Sequence, residues 1–242
     1  MSAAPPKIPT PAPPGGQRSA WVAGGSGLVG RALIDVLVEA PEYARVLAVT
    51  RRPLGREHPR LANRILPFDR LESQISGTPC QDAFCCLGTT LRQAGSEAAL
   101  RAVDHDEVLR FARAARQAGA ERFVFVSAVG ADPASKNVYL RIKGETEADL
   151  AALGFPALDL AQPGLLLGGS RPDTRPLETT ARLFMPLANP FLGGSLKGYR
   201  GIDVGVLARA LLGMVRVGRR GVQRHTFEAL VKLASRGEVA AR

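Results

Sequence analysis

The stretch Ser19-Ala20-Trp21-Val22-Ala23-Gly24-Gly25-Ser26-Gly27-Leu28-Val29-Gly30 carries a short apolar run into glycines at every third position: Gly24, Gly27 and Gly30. Beyond it, Leu28, Val29, Leu33, Val36 and Leu37 recur at helical spacing up to Glu39. Strand, glycine turn and helix in that order form the context in which such glycines hold a dinucleotide. The first permits a tight turn, the second lets backbone N–H groups approach the pyrophosphate, and the third lets helix pack on strand. The positive helix N-terminus faces the phosphates.

The next apolar run, Ala44 to Thr50, reads as a buried parallel strand and passes directly into Arg51-Arg52. An acid at that point would hydrogen-bond the adenosine ribose hydroxyls of NAD, whereas arginine favours the extra phosphate of NADP. No acid follows until Glu57. Two adjacent guanidiniums can clasp a phosphate and stack on adenine, so NADP(H) is the expected cofactor, with NAD(H) less favoured.

Further strands are predicted at Ile65–Asp69, Ala83–Leu87, Arg122–Val126 and Ala157–Leu160. Asp69 could accept from the adenine amino group or cap a loop. Leu87-Gly88-Thr89-Thr90 would emerge at the carboxyl edge of the sheet, where ligands bind. A helix from about Ser96 to Gln117 ends at Gly119, and Ile202 starts another running to about Val215. A final helix, Thr226 to Ala234, is expected to pack on the sheet. Strands alternating with crossover-length helices give an α/β fold: a doubly wound parallel sheet of the Rossmann type.

Bulk properties set the bounds. The chain has 242 residues and is 45% hydrophobic, enough for one sizeable core. Residues 1–17 hold six prolines and two glycines and read as a disordered tail. The Rossmann-type domain then spans 18–242, with 165–202 and the C-terminal helices as a small substrate lobe. No uncharged apolar run approaches the roughly 20 residues that span a bilayer, and prolines interrupt any signal-peptide core. A cytoplasmic protein without a membrane partner is the expectation. Cys80, Cys85 and Cys86 lack metal-ligand spacing and the three histidines are scattered, so no metal site is predicted. The net charge of +10 gathers in the tail, in Arg51–Arg64 and in Arg216–Arg242. No recognition motif accompanies it, and nucleic acid is not an expected partner.

The chemistry-bearing residues come together late in the fold. Ser127 closes the strand Arg122–Val126, and Tyr139-Leu140-Arg141-Ile142-Lys143 opens a helix twelve residues later. Tyr139 and Lys143 lie one turn apart on a shared face. A tyrosine that exchanges a proton needs its phenolate stabilised, which an adjacent ammonium does. Ser127 could hydrogen-bond a substrate carbonyl.

The glycine turn, Thr50-Arg51-Arg52, Gly88-Thr89-Thr90, Val126-Ser127 and Tyr139-x-x-x-Lys143-Gly144-Glu145 together resemble the short-chain dehydrogenase/reductase superfamily. More narrowly, Gly88-Thr89-Thr90, Val103-Asp104, Tyr139-Leu140, Lys143-Gly144-Glu145 and Pro163-Gly164-Leu165-Leu166-Leu167 are similar to the atypical branch of the Tat-interacting-protein oxidoreductases and their bacterial NAD(P)H-binding relatives. The resemblance implies that Gly24, Ser26, Gly27, Leu28, Val29, Arg51 and Arg52 hold the cofactor, and that Leu87, Gly88 and Thr89 line its path. Lys143 would also contact the nicotinamide ribose, and Pro163, Gly164 and Leu165 would abut the carboxamide. The family's helix asparagine, part of a proton relay, gives way near Asp104, which puts an intact relay in question.

The expected activity is NADP(H)-dependent hydride transfer to or from a small carbonyl or alcohol. Tyr139 is the proton donor, Lys143 its tuner and Ser127 the carbonyl donor. Alternatives are an NADPH-binding regulatory or scaffold protein with little turnover, and an epimerase- or dehydratase-like enzyme. Arg171, Arg175 and Arg182 suggest an anionic small-molecule substrate, and Leu183 to Phe191 would line a pocket or simply pack. A protein partner or a homo-oligomer also fits.

Overall fold

The computed structural model describes residues 18–75, 77–168 and 199–239. The expected tail at 1–17, and residues 169–198 of the expected substrate lobe with Arg171, Arg175, Arg182 and Leu183–Phe191, lie outside the described residues.

A seven-stranded parallel sheet organises the rest. Its strands in chain order are β1 (Arg18–Ala23), β2 (Tyr43–Thr50), β3 (Leu61–Ile65), β4 (Asp82–Cys85), β5 (Arg122–Val126) and β6 (Ala157–Ala161). Past the two-residue strands β7 (Leu166–Leu167) and β8 (Ile202–Asp203), which pair with each other, comes β9 (Gly221–His225). The spatial order is β3-β2-β1-β4-β5-β6-β9. The order reverses at β1, between β2 and β4, and the loops after these strands open a crevice at their carboxyl ends.

The helices cover both faces: α1 (Leu28–Glu39), α2 (Leu71–Gln74), α3 (Leu91–Ala94), α4 (Glu97–Arg101), α5 (Glu107–Gln117), α6 (Val138–Ala152), α7 (Val204–Val217) and α8 (Phe227–Ala234). On one face Leu33, Ile34 and Leu37 of α1 join Leu207 and Leu211 of α7 over Val22 and Val124. On the other, Val108, Phe111 and Ala115 of α5 pack with Trp21, Phe123 and Phe125. Below the sheet's amino end, the buried Asp82 carboxylate accepts from Arg18 at 2.5 and 2.6 Å and from the Tyr43 hydroxyl at 2.8 Å, tying β1, β2 and β4 together.

Two expectations need correction, and one strand of the sheet was not expected. The third strand is Leu61–Ile65, not Ile65–Asp69, which instead leads through Pro67 into a single 3-10 turn, Phe68–Arg70. A proline offers no N–H to a ladder, and β3 is an edge strand whose half-buried Asn63 and Arg64 hide the apolar signal. The seventh strand, β9, is polar for the same reason: only His225 of it is buried. Finally, α8 packs chiefly on α7 rather than on the sheet.

The long helix expected from Ser96 to Gln117 is there, but interrupted. Ser96 caps α4 by accepting the Ala99 N–H at 3.1 Å. Residues Ala102–Asp106 then form a π-turn before α5 resumes.

Candidate functional site

The glycine turn is built as its spacing requires. Gly24 sits at φ +78°, and a Cβ there would fall 2.5 Å from the Cys86 carbonyl oxygen. A Cβ on Gly30 would fall 2.2 Å from the Gly24 carbonyl oxygen. Helix and turn therefore touch through bare backbone. Gly27, the N-cap of α1, offers no side-chain cap, so the first-turn amides of α1 stay open toward the crevice. A cleft of about 1010 Å³ runs from this turn along the strand ends. A side-chain-free cradle at a helix N-terminus, opening into a cleft of that size, fits a dinucleotide.

Of the residues expected to hold the cofactor, Gly24, Ser26, Gly27 and Leu28 line the cleft, as do Arg51, Arg52, Leu87, Gly88 and Thr89. Val29 does not; it is buried against the core behind the turn. Asp69 is exposed and its neighbour Phe68 lines the cleft in its place, because the 3-10 turn points the aromatic ring inward. Pro163, Gly164 and Leu165 lie outside the lining too. A Cβ on Gly164 would meet the Arg200 carbonyl oxygen at 2.6 Å, and Leu165 accepts the Ile202 N–H at 2.8 Å, so this segment is packed under 199–202.

At the end of β2, Arg51 is 61% exposed along its side chain and stands 3.9 Å from Glu107. Arg52 is exposed and makes no ion pair among the described residues. No carboxylate from β2 competes for either.

At the other end of the cleft lies a buried ion pair. Lys143 is 2% exposed, with its Nζ 3.0 Å from Asp104 Oδ1 and 3.3 Å from the Val126 carbonyl oxygen that accepts from it. It sits 4.6 Å above the Phe125 ring and 5.9 Å from that of Tyr139. Burial pulls the lysine pKa down, but the Asp104 carboxylate outweighs it, and the ammonium is held above the ordinary lysine value. Asp104 is itself fully buried; its Oδ2 accepts the Thr89 N–H at 2.8 Å. Its Oδ1 is balanced by the Lys143 ammonium at 3.0 Å. A Cβ on Gly88 would lie 3.4 Å from Asp104 Oδ1 and 3.6 Å from Lys143 Nζ, which puts the pair directly beneath the cleft wall.

Asp104 lies within the π-turn, and the Thr146 hydroxyl stands between its carbonyl at 3.0 Å and that of Ile142 at 2.7 Å. Sequence reading flagged Asp104 only as a departure from a relay asparagine. A stronger signal was present: Leu100, Asp104 and Val108 form one buried stripe, and an acid inside such a stripe demands a cation.

Ser127, expected to hydrogen-bond a substrate carbonyl, has its hydroxyl engaged within the protein. The residue is 4% exposed, and its hydroxyl donates to Glu147 Oε1 at 2.5 Å. A hydroxyl has one proton to give, and a buried carboxylate holds this one. Glu147 also accepts from Gln162 Nε2 at 2.8 Å and Arg224 Nε at 3.1 Å, tying α6 to β5, β6 and β9. Glu147 was missed, though Lys143, Glu147 and Leu150 share the inward face of α6.

Cys80 and Cys85 are buried thiols, and Cys86 is half-buried. Burial pushes Cys85 up to about 12, and Cys86, whose residue lines the cleft, is also raised by burial. Neither is poised as a thiolate.

Residues 20–148 match the NAD dependent epimerase/dehydratase family. Protein HTATIP2 of Rattus norvegicus is 36% identical over 171 residues, 69% of this chain and 70% of that protein. Protein fmp52, mitochondrial, of Aspergillus clavatus is 35% identical over 194 residues, 77% of this chain and 82% of its own. Among solved structures, UDP-glucose 4-epimerase of Thermotoga maritima superposes with a TM-score of 0.64 at 18% identity, covering 90% of this chain and 81% of that one. MoeE5 in complex with UDP-glucose and NAD gives a TM-score of 0.63 at 18% identity, with the same coverage. At such identity the likeness shows the fold.

The expected cytoplasmic location does not stand. The fungal relatives from Coccidioides immitis, Aspergillus clavatus and Scheffersomyces stipitis are all named mitochondrial. That expectation rested on the lack of a continuous apolar leader, which mitochondrial transit peptides do not need. Among the described residues no helix is long and apolar enough to cross a membrane.

Proposed function

Because the chain belongs to the NAD dependent epimerase/dehydratase family, in the atypical short-chain dehydrogenase/reductase branch of HTATIP2 and FMP52, we propose that it is an NADP(H)-dependent oxidoreductase acting on a small carbonyl or alcohol. The observation that carries this reading is the pair Arg51 and Arg52 on the cleft wall where β2 ends. The glycine turn and the N-terminus of α1 would hold the pyrophosphate, and the two guanidiniums the adenosine phosphate. Leu87, Gly88 and Thr89 would guide the remaining half toward Lys143. When bound, the cofactor supplies or accepts the hydride. Tyr139 passes its hydroxyl proton to the substrate oxygen, and Lys143, fixed by Asp104 and the Val126 carbonyl, keeps a positive charge behind it. Ser127 has no part in this scheme beyond holding α6 in place through Glu147.

A paired fluorescence titration with NADPH and NADH tests the cofactor assignment. NADPH is expected to bind more tightly, and Arg52→Ala to weaken it by about tenfold while leaving NADH within about twofold. Equal losses for both nucleotides, or no preference in the parent protein, would reject the phosphate clasp. For the chemistry, Tyr139→Phe should lower turnover on any identified carbonyl substrate by roughly 10²–10⁴ with cofactor binding intact. Undiminished turnover would remove Tyr139 from its role.

A second reading is a cofactor-binding protein with little turnover. Two observations favour it: the Ser127 proton is committed to Glu147, and the Lys143 charge is shared with Asp104. Tight NADPH binding with no oxidation or reduction across a broad carbonyl panel would select this reading.

A further inference from the structure

Glu107, the first residue of α5, has no part in the scheme above, yet its carboxylate pairs with Arg51 of the expected phosphate site. Its Oε1 lies 3.9 Å from Arg51 Nη1, and its side chain is 17% exposed. Its Oε2 is buried and accepts no hydrogen bond among the described residues. A buried carboxylate short of hydrogen bonds depends on nearby cations for compensation. Here those are Arg51 and Arg110, with the Asp104 carboxylate opposing them. Burial accordingly pushes the Glu107 carboxyl up, against the pull of both arginines.

We propose that Glu107 is a specificity-determining residue that competes for Arg51, and so moderates the preference for the 2′-phosphorylated nucleotide. When a phosphate takes Arg51, the carboxylate must share one of the two cations that compensate it and gains an anion as neighbour. A nucleotide with a free 2′-hydroxyl leaves the Glu107–Arg51 pair as it is. Glu107 therefore costs NADPH affinity and leaves NADH affinity nearly untouched. Arg52, exposed and outside any ion pair among the described residues, carries the phosphate contact without that competition. The proposal rests on reading Arg51 and Arg52 as phosphate ligands.

Glu107→Gln is the direct test, since it keeps the shape and removes the charge. Oε2 has no hydrogen bond among the described residues to lose. Titration of the whole protein should show NADPH binding tightened by roughly three- to tenfold, with NADH changed by less than about twofold. In an Arg51→Ala background the same substitution should give a clearly smaller gain, because only the direct repulsion between carboxylate and phosphate is then left to remove. Unchanged or weakened NADPH binding in the single variant overturns the proposal, as does an equal shift for both nucleotides. A gain of undiminished size without Arg51 overturns the route. Failure of the cofactor reading is separable: there the parent protein itself would bind neither nucleotide, or would not prefer NADPH.

Discussion

Replacing Asp104 with alanine lowers the unfolding free energy by about 3–5 kcal/mol, the loss expected when one partner of a buried ion pair is removed. The reason lies in what stays behind. Lys143 is 2% exposed, and without Asp104 its ammonium is left with one carbonyl and an aromatic face. The Thr89 N–H loses its acceptor in the same step. For a chain of this size the melting temperature should fall by roughly 10 °C. Asp104→Asn should be milder than alanine, because the amide oxygen can still accept from Thr89. Adding Lys143→Met to Asp104→Ala should recover much of the loss, since the stranded charge is then gone. The pH dependence has a definite sign. Lys143 is held above its ordinary value, so the pair's contribution is complete below the ordinary lysine range and fades as pH rises through the raised value. Denaturant unfolding of the three variants checks all of this; a loss under about 1 kcal/mol for Asp104→Ala would mean the pair is not desolvated as described.

The second large effect comes from a residue that elsewhere would be improved by the same change. Alanine in a helix interior is favoured over glycine by about 1 kcal/mol. At Gly30 the added Cβ would lie 2.2 Å from the Gly24 carbonyl oxygen and 2.8 Å from its carbon. Both atoms are backbone, so no side chain can swing aside. The first turn of α1 must move away from the glycine turn, which opposes the propensity gain by about 1–3 kcal/mol. The displacement acts on the amides proposed to face the pyrophosphate. A misplacement of about 1 Å there should weaken binding of NADPH and NADH alike, by roughly 100-fold. That common loss separates the cradle from Arg52, whose removal discriminates between the nucleotides. A Gly30→Ala protein that binds either nucleotide normally would leave the turn with an architectural role only.

The fold was legible wherever burial was two-sided. β1, β2, β5 and β6 read as continuous apolar runs because helices cover both faces, and the glycine spacing placed the first crossover. The edges were not legible: β3 and β9 carry Asn63, Arg64, Gln223 and Arg224, since one flank of each meets no further strand. The site divided along a similar line. Glycines and strand-end arginines announce a cleft by position alone, and the positions hold. The partners of buried charges are set by tertiary contact: Asp104 and Lys143 are joined across 39 positions, and Ser127 and Glu147 across 20. Twelve-residue spacing could place Ser127 near Tyr139, but not show which acceptor would claim its proton.

The π-turn at Ala102–Asp106 has a consequence for how this helix tolerates change in length. Each residue advances an α-helix by about 100°, and a π-turn accommodates one more residue than the regular ladder would. Upstream of it, Glu97 reaches Arg141 while Leu100 is buried; downstream, Phe111 and Ala112 face the sheet. Both halves keep their phase only because the surplus residue is absorbed between them. The alignment of Asp104 with Lys143 is thus a matter of counting as much as of chemistry, kept by the number of residues that separate the two halves of one helix.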